Sequence, residues 1–299
     1  MYGRGAGDMK AGLVAIVMAM RALREAGFQP AAPVQFASVI EEECTGNGAL
    51  AVMHALPKPD ACLIPEPGPG YPALYLAEVG VVWAWVTVTG RPAHVREKHA
   101  GISAIEAGWV VTQAFERYEA EANRAERRHP AFAADNHPIN VNVGTIEGGE
   151  WNSSVANRVR IGVRVGVMPG QSCFAVRSEI EALMAATQAD PRLRGATVAV
   201  EFRGFMADGA VFPRSSRSRR WCRRSTRRSP GRRSATTCRG PDGCAVLHAL
   251  PGHAGDLLRA DAQNIHAIDE SVGLDCVRET TQVLALTIAG WCGLERRAG

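Results

Sequence analysis

Residues 34–43 read VQFASVIEEE, an apolar run that ends in three consecutive carboxylates. The apolar part, Val34–Ile40, is typical of a buried strand. Ligands of an open α/β sheet bind just outside the carboxyl ends of its strands. Adjacent acids repel one another at such a place, and a bound cation removes that cost. Because acidic runs are more often solvated, this stretch alone leaves both a cation site and an acidic turn open.

Three further segments accompany the acidic run Glu41–Glu43. They are GRGAGDMKAG at Gly3–Gly12, IPEP at Ile64–Pro67 and AQNIHAIDESV at Ala262–Val272. Each segment is a weak signal by itself, whereas four in this order and approximate spacing are specific. Together they resemble the zinc amidohydrolase family of acetylornithine deacetylase, succinyl-diaminopimelate desuccinylase and carboxypeptidase G.

The resemblance implies a hydrolytic site with two zinc ions, in which cobalt or manganese could substitute. Asp8 would bridge the ions, Glu43 would bind one of them and Glu66 the other. His266 would add an imidazole ligand, and Glu42 would be the general base that takes a proton from the metal-bound water. A base must stay free to move a proton, so Glu42 is not a ligand in this scheme. Two ions about 3.5–4 Å apart can share a hydroxide and polarise the scissile carbonyl.

Two of these segments have other interpretations. The glycines before Asp8 could form a nucleotide loop, but Gly-Lys-Ser/Thr and the dinucleotide spacing are both missing. They instead predict a tight turn that points Asp8 into the site, before a helix over Met9–Ala26. A lone histidine such as His266 is more often a surface or core residue than a ligand. The following Asp269-Glu270 matches the family's pattern and favours the ligand.

Residues 79–203 predict a separate unit in βαββαβ order, which is ferredoxin-like. Its predicted strands are 79–90, 140–146, 158–167 and 196–202, and its predicted helices are 102–118 and 172–187. In the family, such a domain is inserted into the catalytic domain and mediates dimerisation. The resemblance therefore implies a homodimer through 79–203. It also implies an α/β, zinc-exopeptidase-like catalytic domain, a mixed sheet flanked by helices, in two parts: 1–78 and 204–299.

Two residues of the inserted unit are candidates for binding substrate. His94 ends GRPAH, which resembles a Gly-x-x-x-His element whose histidine reaches the partner subunit's site and binds the substrate or its oxyanion. Asn152 ends GGEWN, which resembles a Gly-Gly…Asn element that contacts substrate. A turn histidine and a loop asparagine are the alternatives. Gly166 stands where the family often has an arginine, which leaves carboxylate recognition by that arginine in doubt.

Length and composition fit a sizeable globular enzyme. The chain has 299 residues, 46% of them apolar, enough for one large core or two modest ones. No apolar stretch reaches the roughly 18 residues that span a bilayer, and the start lacks signal-peptide architecture. Eight cysteines occur without a Cys-x-x-Cys pair. This favours reduced thiols in the cytoplasm over a thiolate zinc site, and no membrane partner is expected.

The segment Pro213–Arg239 contains eleven arginines and no acid, while the whole chain carries a net charge of only +4. One interpretation is an arginine/serine-rich arm that binds nucleic acid, which would make the chain a non-catalytic binding or dimerisation protein. The favoured interpretation is a frameshift over 213–261, since family features stop after 205–209 and resume near 262. Nucleic acid is therefore not an expected partner.

The family also carries a His-x-Asp motif upstream of its glycine-rich element, and Met1 directly adjoins that element here. We therefore expect the first part of the catalytic domain to be missing and metal binding to be impaired. The function expected by descent is hydrolysis of the amide bond in an N-acyl amino acid or a small peptide.

Overall fold

The computed structural model describes residues 1–67, 77–212, 255–257 and 261–297. Its α-helices are α1 (Ala11–Glu25), α2 (Asn47–Ala55), α3 (Ala104–Ala122), α4 (Cys173–Gln188) and α5 (Leu274–Cys292). Its strands are β1 (Phe28–Pro30), β2 (Cys62–Ile64), β3 (Ala77–Glu78), β4 (Gly80–Thr89), β5 (Val141–Gly148), β6 (Arg158–Val167), β7 (Thr197–Ala207), β8 (Ala210–Val211), β9 (Gly255–Leu257), β10 (Ala262–Gln263), β11 (Ser271–Val272) and β12 (Leu294–Arg296).

Strands β4 to β7 form an antiparallel sheet in the order β5-β6-β4-β7. Alternate residues of β4, such as Val82, Val86 and Val88, are fully buried on one face because side chains alternate along a strand. Helices α3 and α4 cover that face and share its apolar core. The chain thus follows the predicted βαββαβ order, with element bounds within a few residues of those expected.

The remaining elements build the part of the molecule that carries the acidic run. Small side chains on α1, Ala15 and Ala19, pack against Val283 and Leu284 of α5, so the two helices approach closely. Strand β2 pairs with β9 in parallel, whereas β1 with β12, β3 with β8 and β10 with β11 are antiparallel. The chain therefore has an α/β architecture of helices with parallel and antiparallel pairings.

The prediction of a buried strand over Val34–Ile40 was wrong. This stretch has no strand assignment and is largely exposed, with Phe36 at 48% and Ile40 at 74% exposure. A strand needs a neighbour to satisfy its backbone groups, and no strand in the described part of the chain pairs with this one. An apolar pattern alone was therefore insufficient to form the strand.

The structure also bears on the expectations about cysteines, membrane-spanning helices and the basic segment. The described cysteines Cys44, Cys62, Cys173, Cys276 and Cys292 are free thiols. Within the described ranges, no helix is long and apolar enough to cross a bilayer. The basic segment 213–239 lies outside the described residues, so both interpretations of it stay predictions.

Candidate metal centre

A buried carboxylate fixes the glycine-rich loop that precedes α1. Glu270 is 2% exposed, and its Oε2 accepts a hydrogen bond from the backbone N–H of Gly5 at 2.8 Å. Its Oε1 accepts from the N–H groups of Gly7 and Asp8, each at 2.9 Å. Burial opposes ionisation of Glu270, but these donors outweigh it and lower the pKa of the carboxyl. A side chain at Gly7 would collide with Ala262, so the loop needs glycine there.

Three of the predicted metal ligands converge next to this loop. The Nε2 of His266 lies 3.0 Å from Oδ2 of Asp8 and 2.8 Å from Oε1 of Glu43. One ligand atom from each residue lies within 4.8 Å of the other two. The Asp8 side chain is 11% exposed, whereas Glu43 and His266 are open to solvent. Asp8 is therefore the buried member of the group, and solvent reaches the group from the side of Glu43 and His266.

The electrostatics of this group suit a cation. Hydrogen bonds to Asp8 and then to Glu43 raise the pKa of His266 to about 10. Burial raises the pKa of Asp8, and the charge of Glu43 raises it further, although the bond to His266 opposes both. The bond to His266 lowers the pKa of Glu43 against the effect of burial, with a smaller contribution from the charge of Arg164. Positive charge is therefore favoured where the two carboxylates meet.

The loop that carries His266 is held in an unusual backbone conformation. Asn264, His266 and Asp269 have φ values of 55°, 61° and 59°, in the left-handed region that residues other than glycine seldom adopt. Strands β10 and β11 pair on either side of the loop, and Glu270 anchors its end. Such conformations persist when surrounding contacts enforce them, and they concentrate at functional sites.

The three glutamates of the acidic run have different surroundings. Glu41 builds the turn, because its carbonyl accepts from the N–H groups of Thr45 and Gly46 at 3.0 and 2.8 Å. Its Oε2 also accepts from the Thr45 hydroxyl at 2.6 Å. Glu42 is half-buried, and the exposed Glu43 reaches His266. The turn thus presents Glu42 directly beside a residue of the metal group.

Glu66 is not one of the three converging residues. Among the described residues, the group of ligand atoms contains Asp8, Glu43 and His266 but not Glu66. Glu66 is 2% exposed and follows β2. A side chain at Gly12 would collide with the carbonyl of Pro65, so glycine lets the segment before Glu66 approach the start of α1. The role of Glu66 in binding a second ion stays a prediction.

The two candidate substrate residues lie on neighbouring loops. His94 is exposed, and its Nδ1 accepts from the N–H of Arg96 at 3.1 Å, which caps a short 3-10 helix. The loops of His94 and Asn152 are joined by backbone bonds from Val155 N–H to Ala93 O at 2.8 Å and from Val95 N–H to Ser153 O at 3.1 Å. Asn152 is also exposed. The structure brings the two loops together, and the substrate role of each residue stays a prediction.

Comparison with known proteins identifies the family. The sequence profile of peptidase family M20/M25/M40 matches residues 1–290, which include all the residues of the metal group. The chain belongs to this family. The match confirms the resemblance drawn from the four segments, and members named desuccinylase or carboxypeptidase are hydrolases of amide bonds.

Individual relatives of this M20-family chain agree. It is 33% identical over 132 residues to a probable succinyl-diaminopimelate desuccinylase of Staphylococcus aureus, covering 43% of this chain and 32% of that protein. It is 30% identical over 211 residues to a probable carboxypeptidase of Aspergillus clavatus, covering 67% of this chain and 43% of that protein. The chain thus matches 32% and 43% of the length of these two curated relatives.

A solved structure supports the fold of the M20-family chain. A tripeptidase from Staphylococcus aureus superposes with a TM-score of 0.69 at 16% identity, covering 94% of this chain and 70% of that one. At this identity the likeness concerns the fold alone. It confirms an M20 peptidase-like α/β fold.

Sequence reasoning missed two contributions to the metal group. Glu270 was noted only as matching a pattern, whereas it orients the Asp8 loop through three hydrogen bonds. No local sequence signal distinguishes Glu270, because the hydrogen bonds to its carboxylate come from backbone N–H groups. Arg164, whose charge acts on Glu43, is one of several arginines that alternate on β6 and carries no distinguishing local signal.

Proposed function

We propose that this protein is a metal-dependent hydrolase that cleaves the amide bond of an N-acyl amino acid or a small peptide. The observation that carries the proposal is the convergence of Asp8, Glu43 and His266 in a chain of the M20 family. The names of the desuccinylase and carboxypeptidase relatives supply the substrate class.

The residues present fit a divalent ion. Two carboxylates and one imidazole, anchored by Asp8 and open on the side of His266, form a donor set that suits zinc, with cobalt or manganese as substitutes. Asp8 and Glu66 would contribute to a second ion, as the family resemblance implies. When bound, zinc polarises a carbonyl oxygen and lowers the pKa of a water molecule.

The chain's own residues divide the remaining tasks. Glu270 fixes the backbone of Asp8, so that the carboxylate does not have to be ordered when an ion arrives. The turn built by Glu41 carries Glu42 next to Glu43, the proposed ligand. Glu42 would take a proton from the attacking water and deliver it to the leaving nitrogen, as a general base and then a general acid. His94 and Asn152 would contact the substrate from their joined loops.

The activity itself is directly testable. With added Zn²⁺ or Co²⁺, the chain should hydrolyse members of a panel of N-acetyl, N-formyl and N-succinyl amino acids and dipeptides. Chelation should abolish hydrolysis, re-addition of metal should restore it, and Asp8→Asn should be inactive. Hydrolysis that persists after chelation and in Asp8→Asn would contradict the proposal.

A different class of function rests on the basic segment. A nucleic-acid-binding protein would show DNA binding that weakens steeply with salt, because arginines displace counterions from phosphates. The family membership and the metal group favour the enzyme. A cytoplasmic location is also a proposal, which rests on the scattered cysteines.

We further propose that the chain forms a homodimer through residues 79–203. Strand β5 lies at the edge of its sheet, and an unpaired edge offers backbone groups to another strand. Large apolar side chains are exposed around it: Ile146 on β5 at 53%, and Ile105 and Trp109 on α3 at 46% and 62%. Helix α3 packs against β5, and the side chain of Ile105 lies beside Gly149, the residue that follows β5. A second copy of this surface is the proposed occupant.

This assembly predicts a specific effect of Trp109. Trp109→Glu should weaken dimerisation roughly thirtyfold or more in sedimentation experiments, the effect of losing a central aromatic anchor. Phe174→Glu is the matched control, since Phe174 is 63% exposed on α4. The isolated unit 79–203 should fold and self-associate, because its main core lies within it. A full-length chain that stays monomeric at high concentration would exclude the dimer.

A further inference from the structure

A cavity of about 330 Å³ lies within the unit that carries the four-stranded sheet, outside the metal group. It is located between the end of α3 and the segment that follows β6. One wall carries three consecutive basic residues, Arg127, Arg128 and His129. Another part of the lining is apolar and includes Ile139 and Met168. No acidic residue is among the described residues that line the cavity.

One carboxylate beside the cavity, that of Glu179, is engaged by three of the residues that line it. Glu179 accepts from the Tyr118 hydroxyl at 2.8 Å, from Nη2 of Arg127 at 2.8 and 2.9 Å, and from the Gln171 amide at 3.0 Å. Burial of Tyr118, followed by this hydrogen bond and the carboxylate charge, raises the pKa of the phenol. Glu179 therefore links Tyr118, Arg127 and Gln171, which all line the cavity, and its charge compensates that of Arg127.

Arg128 and His129 carry the donors of the basic wall. The Nη2 of Arg128 reaches the carbonyl groups of Asn123 and Asn136 only at 3.2 and 3.3 Å. Its Nε is buried and has no hydrogen-bond partner among the described residues, which is costly for a buried donor. The Nδ1 of His129 accepts from the N–H of Ala131 at 3.0 Å, so in the neutral ring the proton is on Nε2. His129 is thus a second donor.

We propose that this cavity binds a small organic carboxylate with an apolar body, of the size of benzoate. The guanidinium of Arg128 and the imidazole of His129 would hold the carboxylate, and the wall with Ile139 and Met168 would cover the apolar body. Arginine donors match carboxylate oxygens in geometry as well as charge. The volume lies at the small end of the range of ligand pockets, about 300–1,000 Å³.

Calorimetric titration of the metal-free, full-length chain with three probes tests this assignment. Benzoate has both the charge and the apolar body, benzyl alcohol lacks the charge, and acetate lacks the ring. Benzyl alcohol cannot form the charged contact with the basic residues, and acetate cannot form the apolar contact with Ile139 and Met168. Benzoate should therefore bind at least about tenfold more tightly than either of the other probes. Equal affinity for benzoate and benzyl alcohol would overturn the role of the basic wall.

A matched pair of variants locates the binding. His129→Asp and His129→Asn both keep an oxygen that can accept from Ala131 N–H, as Asp and Asn do at helix N-caps. Only His129→Asp adds a negative charge, so it should weaken benzoate binding at least about tenfold more than His129→Asn. Arg128→Gln should weaken it to a similar degree, with Arg96→Gln, in the exposed 3-10 helix Val95–Ala100 that precedes α3, as the unaffected control. Unchanged affinity in both His129→Asp and Arg128→Gln would refute the site.

Discussion

Replacing Glu270 by glutamine should lower the free energy of unfolding by roughly 2–4 kcal/mol, measured by denaturant titration. The buried carboxylate accepts three backbone N–H bonds from the loop of Gly5, Gly7 and Asp8. Glutamine has one carbonyl oxygen, and its amide group would face N–H donors. Both the charge and at least one bond are therefore lost in a buried place.

The same substitution should also weaken zinc binding, because the N–H of Asp8 is one of the three donors. A competition titration against a chelating dye measures this loss separately from stability. Asp269→Asn is the matched control, since Asp269 is exposed, adjacent in sequence and in the left-handed region that asparagine tolerates. A Glu270→Gln chain that is as stable and binds zinc as tightly as the Asp269→Asn control would show that Glu270 does not position Asp8.

Replacing Glu42 by glutamine should reduce kcat for amide hydrolysis by at least about two orders of magnitude, in line with typical contributions of general acid–base catalysis. Glutamine keeps the size of the side chain but cannot accept a proton. Zinc content should stay nearly unchanged, since Glu42 is not a ligand in the proposed site.

The neighbouring residue provides the contrast. Glu43→Gln should lose zinc affinity, because Glu43 contributes a ligand atom to the metal group. Both substitutions replace a glutamate by glutamine at adjacent positions. We expect Glu42→Gln to lower kcat and Glu43→Gln to lower zinc affinity. Full hydrolytic activity in Glu42→Gln would contradict the proposed base, and loss of zinc in Glu42→Gln would make it a ligand instead.

The elements of residues 79–203 could be predicted because their local signals agree with their surroundings. Strand β4 alternates between buried valines and more exposed residues, and each helix starts at a serine. Ser103 accepts from the N–H of Glu106 at 3.2 Å, and Ser172 accepts from that of Phe174 at 3.2 Å. Such serine N-caps can be recognised from the sequence itself. Each strand also finds a neighbour within the same segment.

Val34–Ile40 shows the limit of such signals. Its apolar residues have the composition of a strand, yet strand formation depends on a partner that a local pattern does not specify. The metal group shows a related limit. Asp8 and His266 are 258 positions apart in sequence and meet at 3.0 Å, and only the resemblance of several segments to one family predicted their convergence. The role of Glu270 was not predicted because its carboxylate accepts hydrogen bonds from backbone N–H groups, which nearly every residue type carries.

Zinc binding to the metal-free, full-length chain, followed by competition with a chelating dye, tests the metal centre most directly. We predict saturable binding of one zinc ion at the group formed by Asp8, Glu43 and His266. His266→Ala should lower the affinity at least about tenfold, since even residues that merely orient metal ligands contribute this much. His99→Ala, which removes an exposed imidazole elsewhere, should leave it unchanged. A chain that binds no zinc, or a His266→Ala variant that binds it as tightly as the His99→Ala control, would contradict the proposed centre.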